Sequence, residues 1–198
     1  MKYILAQKLE MSQIYRPDGT VVPVTLVQAG PCVVTQVKTK DTDGYEGVQI
    51  GFVPAKRLNK AEAGHLKDLQ PLRHLCEFSG SLDVKRGDVI EATSFQPGDV
   101  VSVAGVSKGK GFQGVVKRHH FHGHPTSHGH KDQERMPGSI GAGGVQHVLK
   151  GRRMAGRMGN ERVTVKNLTV EEVRDGGILA LKGAVPGARH SIIEIICA

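Results

Sequence analysis

The feature that most constrains this 198-residue chain is a stretch of 56 residues, 105–160. Its apolar residues do not follow the spacing of a helix or of a strand for long. It holds half of the 26 glycines, and its apolar residues are too scattered to form a core of their own. Glycine loses much conformational entropy on ordering, so such a stretch gains little by folding alone. We therefore expect an extended loop, the basic segment (residues 105–160), that becomes ordered against a partner.

The net charge of +8 is concentrated in the basic segment. Ten lysines and arginines lie there with only two acids, Asp132 and Glu134, whereas the rest of the chain carries 17 charges of each sign. We expect the two acids to pair with Lys131 or Arg135. The local excess indicates a polyanionic partner, because Lys and Arg neutralise phosphates and a bare glycine backbone can approach them closely.

The flanking residues, 1–104 and 161–198, predict a mainly β domain, a Greek-key-like β-barrel that the basic segment interrupts. Apolar and polar residues alternate between turn signals such as Pro17 and Gly19. The predicted strands cover 13–15, 21–27, 32–38, 45–52, 88–95, 99–106, 162–168, 178–182 and 191–197. One short helix is predicted after the capping pair Asn59 and Glu62, with Pro71 as its stop signal.

Three cysteines, Cys32, Cys76 and Cys197, lie far apart, without the close pairing of a zinc site. We expect them in strands, as small buried hydrophobes. An odd number of cysteines with no secretory signal is typical of a reducing cytoplasm. No apolar stretch approaches the length of a membrane span.

Several sharper interpretations compete for the basic segment. Residues 109–114 match the dinucleotide fingerprint by letters, but no helix is predicted after them. Six histidines between His119 and His130 could bind zinc or nickel, which makes a metal-binding protein one alternative. A β-barrel enzyme with a basic lid over a phosphorylated substrate is another, although Ser127 and Ser139 lie in no nucleophile motif. We favour histidines that contact nucleic acid, and predict no catalytic residue, metal site or cofactor.

Separated motifs, in a fixed order, connect the chain to a known family. They are Gln7–Ile14, Ser107–His119, Ser127–Gly129, Arg135–Gly141, Lys150–Val165 and Lys182–Gly187. With these motifs the chain resembles, over essentially its whole length, the universal large-subunit ribosomal protein three family of bacterial type. It departs from the family pattern at Glu10 and Ser12, where glycine and threonine are common.

The resemblance implies a structural ribosomal protein of the cytoplasm and no enzyme. It implies a barrel on the outer part of the large subunit, a loop that runs inward through rRNA towards the peptidyl transferase centre, and a role in early subunit assembly. The implied partners are large-subunit rRNA and neighbouring large-subunit proteins, fourteen and nineteen among them, with no membrane and no small-molecule substrate. The residues expected to bind rRNA are Lys108, Lys110, Lys117, Arg118, His119, His128, Arg135, Ser139, Lys150, Arg152, Arg153 and Arg157.

Overall fold

The computed structural model describes residues 2–80 and 83–197. The chain divides into two compact units. We call Met1–Val106 together with Arg162–Ala198 the barrel unit, and Ser107–Glu161 the arm. Most of the regular structure consists of strands, which confirms the predicted mainly β class.

The barrel unit is built around a closed barrel of six antiparallel strands. These strands are β1 (Lys2–Tyr15), β2 (Val21–Ala29), β7 (Val100–Val106), β10 (Arg162–Arg174), β11 (Ile178–Lys182) and β12 (Ile192–Cys197). Around the barrel they follow the order β1, β12, β7, β10, β11, β2, and β2 pairs with β1 to close the ring. Closure leaves the barrel without an exposed strand edge. The strands β7 and β10, which pair with each other, lead into and out of the arm.

Alternating burial explains how the barrel sequence forms strands. In β12, Ile193 and Ile195 are fully buried and Glu194 between them is half-exposed, the period of two that a strand with one buried face requires. Strand β10 instead changes direction at a bulge between Val165 and Leu168, where Asn167 takes a left-handed conformation. Beyond this bulge β10 pairs with β11, so it extends six residues further than its sequence pattern predicts.

A second sheet of four strands belongs to the same unit. Its order is β5 (Leu72–Ser79), β4 (Gly47–Pro54), β3 (Cys32–Lys38) and β6 (Val89–Ile90). One continuous apolar core includes residues of both sheets, such as Ile4 and Ile195 of the barrel and Ile50 of β4. Burial of this core is the main stabilising contribution to the unit.

The helices are short. They are α1 (Lys40–Asp43), α2 (Lys60–His65) and, in the arm, α3 (Val115–His119), with a 3-10 turn at Ala92–Ser94. The predicted helix is α2, and its predicted cap is present: the Asn59 side chain accepts from the Glu62 amide, and the Glu62 carboxylate accepts from the Asn59 amide. The helix ends earlier than predicted, at His65, and two further helices accompany it.

Other local predictions also differ from the structure. The strand predicted over 13–15 is the last part of β1, which begins at Lys2. The strand predicted over 88–95 is limited to β6, since the amide of Phe95 donates to the carbonyl of Ala92 and bends the chain into the 3-10 turn. The cysteines also differ from one another. Cys32 and Cys197 are buried, but Cys76 in β5 is only half-buried.

Candidate nucleic-acid interface

The base of the arm is a short two-stranded ribbon, which consists of β8 (Gly111–Gln113) and β9 (Gly156–Met158). Backbone hydrogen bonds extend this pairing from the ribbon to the first and last residues of the arm. The amide of Lys110 donates to the carbonyl of Met158 at 2.9 Å, and the amide of Ser107 donates to the carbonyl of Glu161 at 2.9 Å. The two chain segments therefore leave and return side by side.

Next to the ribbon, α3 is tied to the returning segment through one backbone carbonyl. Arg118 Nη1 donates to the oxygen of Met154 at 2.7 Å, and His119 Nε2 lies 3.0 Å from the same oxygen. Since a carbonyl can only accept, His119 carries its proton on Nε2. A Cβ on Gly156 would lie 2.6 Å from Arg118 Nη1, so the glycine makes room for the guanidinium.

Further along the arm, two more contacts bring distant segments together. The amide of His124 donates to the carbonyl of Glu134 at 3.2 Å, next to Gly123, which has a φ of 69° and no room for a Cβ. Arg152 Nη2 donates to the carbonyl of Ser139 at 2.5 Å. The arm is thus a chain folded back on itself through backbone contacts, and its only buried hydrophobic residue in the described structure is Val115.

Of the twelve residues predicted to bind rRNA, ten are exposed, while Arg118 and His119 are half-buried. Arg118, His119 and Arg152 donate to carbonyls within the arm, so part of their hydrogen-bonding capacity holds the arm together. The side chains of the other predicted lysines and arginines, and the ring of His128, make no hydrogen bond to the described residues. They are Lys108, Lys110, Lys117, His128, Arg135, Lys150, Arg153 and Arg157.

The electrostatics of the arm differ from those of the barrel unit. Seven ion pairs form within residues 2–80 and 83–197, and every one of them joins residues of the barrel unit. The expected pairing of Asp132 or Glu134 with Lys131 or Arg135 does not occur there. Positive charge in the arm is therefore left available to an external anion.

Sequence reasoning overlooked two features of this surface. Phe112 in β8 is 77% exposed and stands directly opposite Arg157 of β9. The second feature is the backbone carbonyl of Met154, which accepts the hydrogen bonds from α3. Every residue type has such a carbonyl, so the sequence does not mark its position. The one available signal was glycine, because Gly123, Gly156 and Gly159 each lie where a Cβ would meet another part of the arm.

Residues 109–114, whose sequence matches the dinucleotide fingerprint, do not adopt the structure of a dinucleotide site. A helix does follow residues 109–114, contrary to the prediction, but α3 has only five residues. Residues 111–113 are themselves a strand of the ribbon. A dinucleotide site needs its glycines between a buried strand and the start of a full helix, and this arrangement differs from it.

Two of the histidines contact each other, and the described residues form no cage of histidines. The rings of His124 and His130 stack with their centroids 4.9 Å apart and 11° between their planes. Within the described residues, no group of three or more His, Cys, Asp or Glu side chains is arranged to hold a metal ion. A dedicated zinc site would bring three or four such ligands together.

One cavity in the barrel unit lacks the chemistry of a site for a phosphorylated substrate. Its volume is about 350 Å³, and it is lined by Gly30, Glu91, Arg174 and Asp175 among others. Two carboxylates and one guanidinium give it no positive excess, and Arg174 already pairs with Glu172 at 2.8 Å. Phosphate recognition relies on a surplus of cationic donors.

Two of the three thiols are equally unsuited to nucleophilic attack. Burial raises the pKa of Cys32 to about 11. Desolvation, helped by the nearby Glu194, raises the pKa of Cys76 to about 11 as well. Both side chains are therefore protonated at neutral pH, and a thiol is a poor nucleophile in that form.

Comparison with known proteins gives consistent matches over the chain. A sequence family described as Ribosomal protein L3 matches residues 75–178. Proteins named large ribosomal subunit protein uL3 are 52% identical in Roseiflexus sp. (strain RS-1), 51% in Solibacter usitatus and 49% in Streptomyces coelicolor. These alignments cover 97%, 97% and 98% of this chain and 95%, 96% and 95% of the relatives. Among the described residues, no helix is long and apolar enough to cross a bilayer.

Proposed function

The chain belongs to the ribosomal protein L3 family, and from that membership we propose that it is a structural constituent of the large ribosomal subunit that binds large-subunit rRNA through its arm. The same membership supports a place in the cytoplasm, within the ribosome, next to other large-subunit proteins. It favours neither a metal-binding protein nor an enzyme, because the family is structural.

The observation that carries the proposal is the set of exposed cations in the arm. Lysines and arginines that no carboxylate neutralises can replace the counterions of a phosphate backbone, and their release favours binding. The arm also exposes glycine backbone, whose amides can approach phosphate oxygens. The twelve residues from Lys108 to Arg157 named above are the proposed rRNA contacts.

The family resemblance supports two finer statements. The arm runs inward between rRNA helices towards the peptidyl transferase centre, and the protein joins the subunit early in assembly. RNA helices that converge repel one another through their phosphates, so a narrow cationic chain between them stabilises their packing. Recognition then depends on RNA shape more than on base edges.

Two variants with matched changes in charge test the rRNA contact. The first replaces Lys108, Lys110, Lys150 and Arg157 of the arm with glutamine. The second replaces four exposed cations of the barrel unit, Lys56, Arg57, Lys60 and Lys67, in the same way. Binding to large-subunit rRNA is measured by filter retention as a function of KCl concentration.

The slope of log K against log salt reports the number of phosphates that the protein neutralises. For the arm variant we expect the slope to fall by about three, because each neutralised phosphate contributes somewhat less than one unit. The barrel variant should keep the slope of the unmodified protein. Equal slopes for the two variants would contradict binding through the arm.

A further inference from the structure

We propose that the concavity next to α3 binds one unpaired rRNA nucleotide, with the base against Phe121 and the histidine rings and the phosphate on Arg153. The inference rests on the proposed function, because its ligand is part of the rRNA. It gives a specific role to the histidine-rich stretch, which charge alone does not explain.

The concavity is formed entirely by residues of the arm. Its volume is about 340 Å³, and its lining includes His119, Phe121, His122, His124, Met136 and Arg153. Small-molecule sites begin at about 300 Å³, so the space is suited to a single nucleotide and not to a folded protein surface. The residues come from both sides of the His124–Glu134 backbone contact, which brings Met136 close to the histidines.

Several rings in this lining are held in place before any ligand binds. One face of the His124 ring is covered by His130, which leaves the other face and the edge to a ligand. The His119 ring is fixed by its hydrogen bond to the Met154 carbonyl, and its centroid lies 6.1 Å from that of Phe121 at an angle of 45°. A site whose side chains are already oriented loses little entropy on binding.

The chemistry of the lining matches a nucleotide. Phe121, Met136 and the imidazoles offer apolar and aromatic surface to a planar base. Arg153 is exposed, and its guanidinium has no ion pair or hydrogen bond within residues 2–80 and 83–197. A free guanidinium at the edge of an aromatic site is suited to bidentate contact with phosphate. No carboxylate lines the concavity to repel that phosphate.

An unpaired nucleotide is favoured over one in a helix. A-form RNA hides its base faces within the stack, so a protein ring can reach a base only in a loop, a bulge or a splayed-out position. The imidazole nitrogens can also accept from or donate to the base edge, and this adds specificity that the arm's lysines cannot provide.

The test replaces the ring without changing charge. Phe121→Leu keeps an apolar side chain, and Phe112→Leu makes the same change at the arm's other phenylalanine, which lies outside the concavity. Base-directed chemical footprinting of large-subunit rRNA, bound to each full-length protein, then compares the protected nucleotides. We expect one nucleotide to be protected by the unmodified protein and by Phe112→Leu, and to become reactive with Phe121→Leu.

A second measurement removes the base instead of the ring. An rRNA fragment that is abasic at the identified nucleotide should bind the unmodified protein about 5- to 150-fold more weakly, since stacking of one base is worth about 1–3 kcal/mol. With Phe121→Leu the same abasic change should cost clearly less than in the unmodified protein, because both changes remove the contact between the base and the Phe121 ring. Losses that multiply independently would overturn the proposal.

A third variant guards against a purely structural effect of Phe121. Arg153→Gln changes an exposed side chain and should also expose the identified nucleotide, while it lowers the salt slope by about one. Phe121→Leu should leave the salt slope as it is. Identical footprints for Phe121→Leu and the unmodified protein would overturn the proposal. It would also be overturned if Phe121→Leu bound rRNA normally but was poorly incorporated into reconstituted subunits, because that result indicates a protein partner.

These outcomes are distinguishable from failure of the proposed function. If the protein bound rRNA without a steep salt slope, or if the four-charge arm variant behaved like the barrel variant, the proposed function itself would fail. If those results are as expected and Phe121→Leu changes nothing, only the nucleotide site is wrong.

Discussion

Arg118 Nη1 lies 2.7 Å from the carbonyl oxygen of Met154, although 36 residues separate the two along the chain. This contact joins the end of α3 to the segment that returns through β9. It means that one of the arm's cations has a structural role inside the protein, while its neighbour Lys117 is exposed and free of such a contact in the described structure. Variants of these two adjacent residues can therefore distinguish the folding of the arm from its binding of an anion.

Arg118→Gln should loosen the base of the arm, whereas Lys117→Gln should not. Both changes remove one positive charge, but only the first removes the hydrogen bond to Met154. For a half-buried charged donor we expect a loss of about 1 kcal/mol in local stability, or roughly fivefold faster amide exchange. Hydrogen exchange of the Lys110 and Asn160 amides in the free protein measures it. Equal exchange in the two variants would show that the contact does not hold the base together.

Gly159→Ala should disrupt the same region through the backbone. Gly159 has a φ of 74°, and a Cβ there would overlap the carbonyl of Lys108. We expect a cost of about 1–3 kcal/mol, with loss of the bond from the Lys110 amide to the Met158 carbonyl. Gly141→Ala is the matched control, since its Cβ would meet nothing within 4 Å. Amide exchange at Lys110 should rise in the first variant and stay unchanged in the second.

Structural features that depend on residues close together in the sequence could be predicted from it, and features that depend on distant residues could not. The Asn59 and Glu62 cap was predicted because both partners lie within one helical turn. The length of β10 was not, because the bulge at Asn167 is stabilised by pairing with β7 and β11, which are distant in sequence. In β5, Leu75 points outwards and His74 inwards, and this hides the alternation that would reveal the strand.

The candidate nucleic-acid interface shows the same difference between what is local in the sequence and what depends on distant contacts. The location of its positive charge follows from composition and could be predicted directly. The contacts that shape it could not, because the acceptors are the backbone carbonyls of Met154, Glu134 and Ser139, which every residue type offers. The glycines marked the places of close approach without identifying the partner of each.

Ile195→Ala should strongly destabilise the barrel unit. Ile195 is fully buried and lies between Ile4 of β1 and Val103 of β7. Removing a buried isoleucine side chain costs about 2–5 kcal/mol through lost burial and the cavity that remains. Val100→Ala, at a position that is 55% exposed, is the control and should change stability by less than about 0.5 kcal/mol. Urea unfolding followed by circular dichroism compares the two, and similar midpoints would contradict the assigned core.

Asp99→Asn should make the protein less stable at neutral pH but not at low pH. The Asp99 carboxylate accepts from the Gln96 amide at 3.0 Å and from Lys2 Nζ at 2.9 Å, and these contacts lower its pKa. As the pH falls below about 4, the unfolded chain binds a proton at this position before the folded protein does. The stability that the carboxylate contributes is therefore complete at neutral pH and is lost as the pH falls through the folded pKa.

The difference in unfolding free energy between the protein and Asp99→Asn should accordingly be constant from pH 7 to about 5 and shrink below about 4. Asp68→Asn is the control, because Asp68 is exposed and makes no side-chain hydrogen bond or ion pair in the described part of the chain. Urea unfolding at a series of pH values measures both differences. A difference for Asp99→Asn that persists unchanged at low pH would mean that asparagine fails for a steric reason and that the charge of Asp99 is not what stabilises the start of β7.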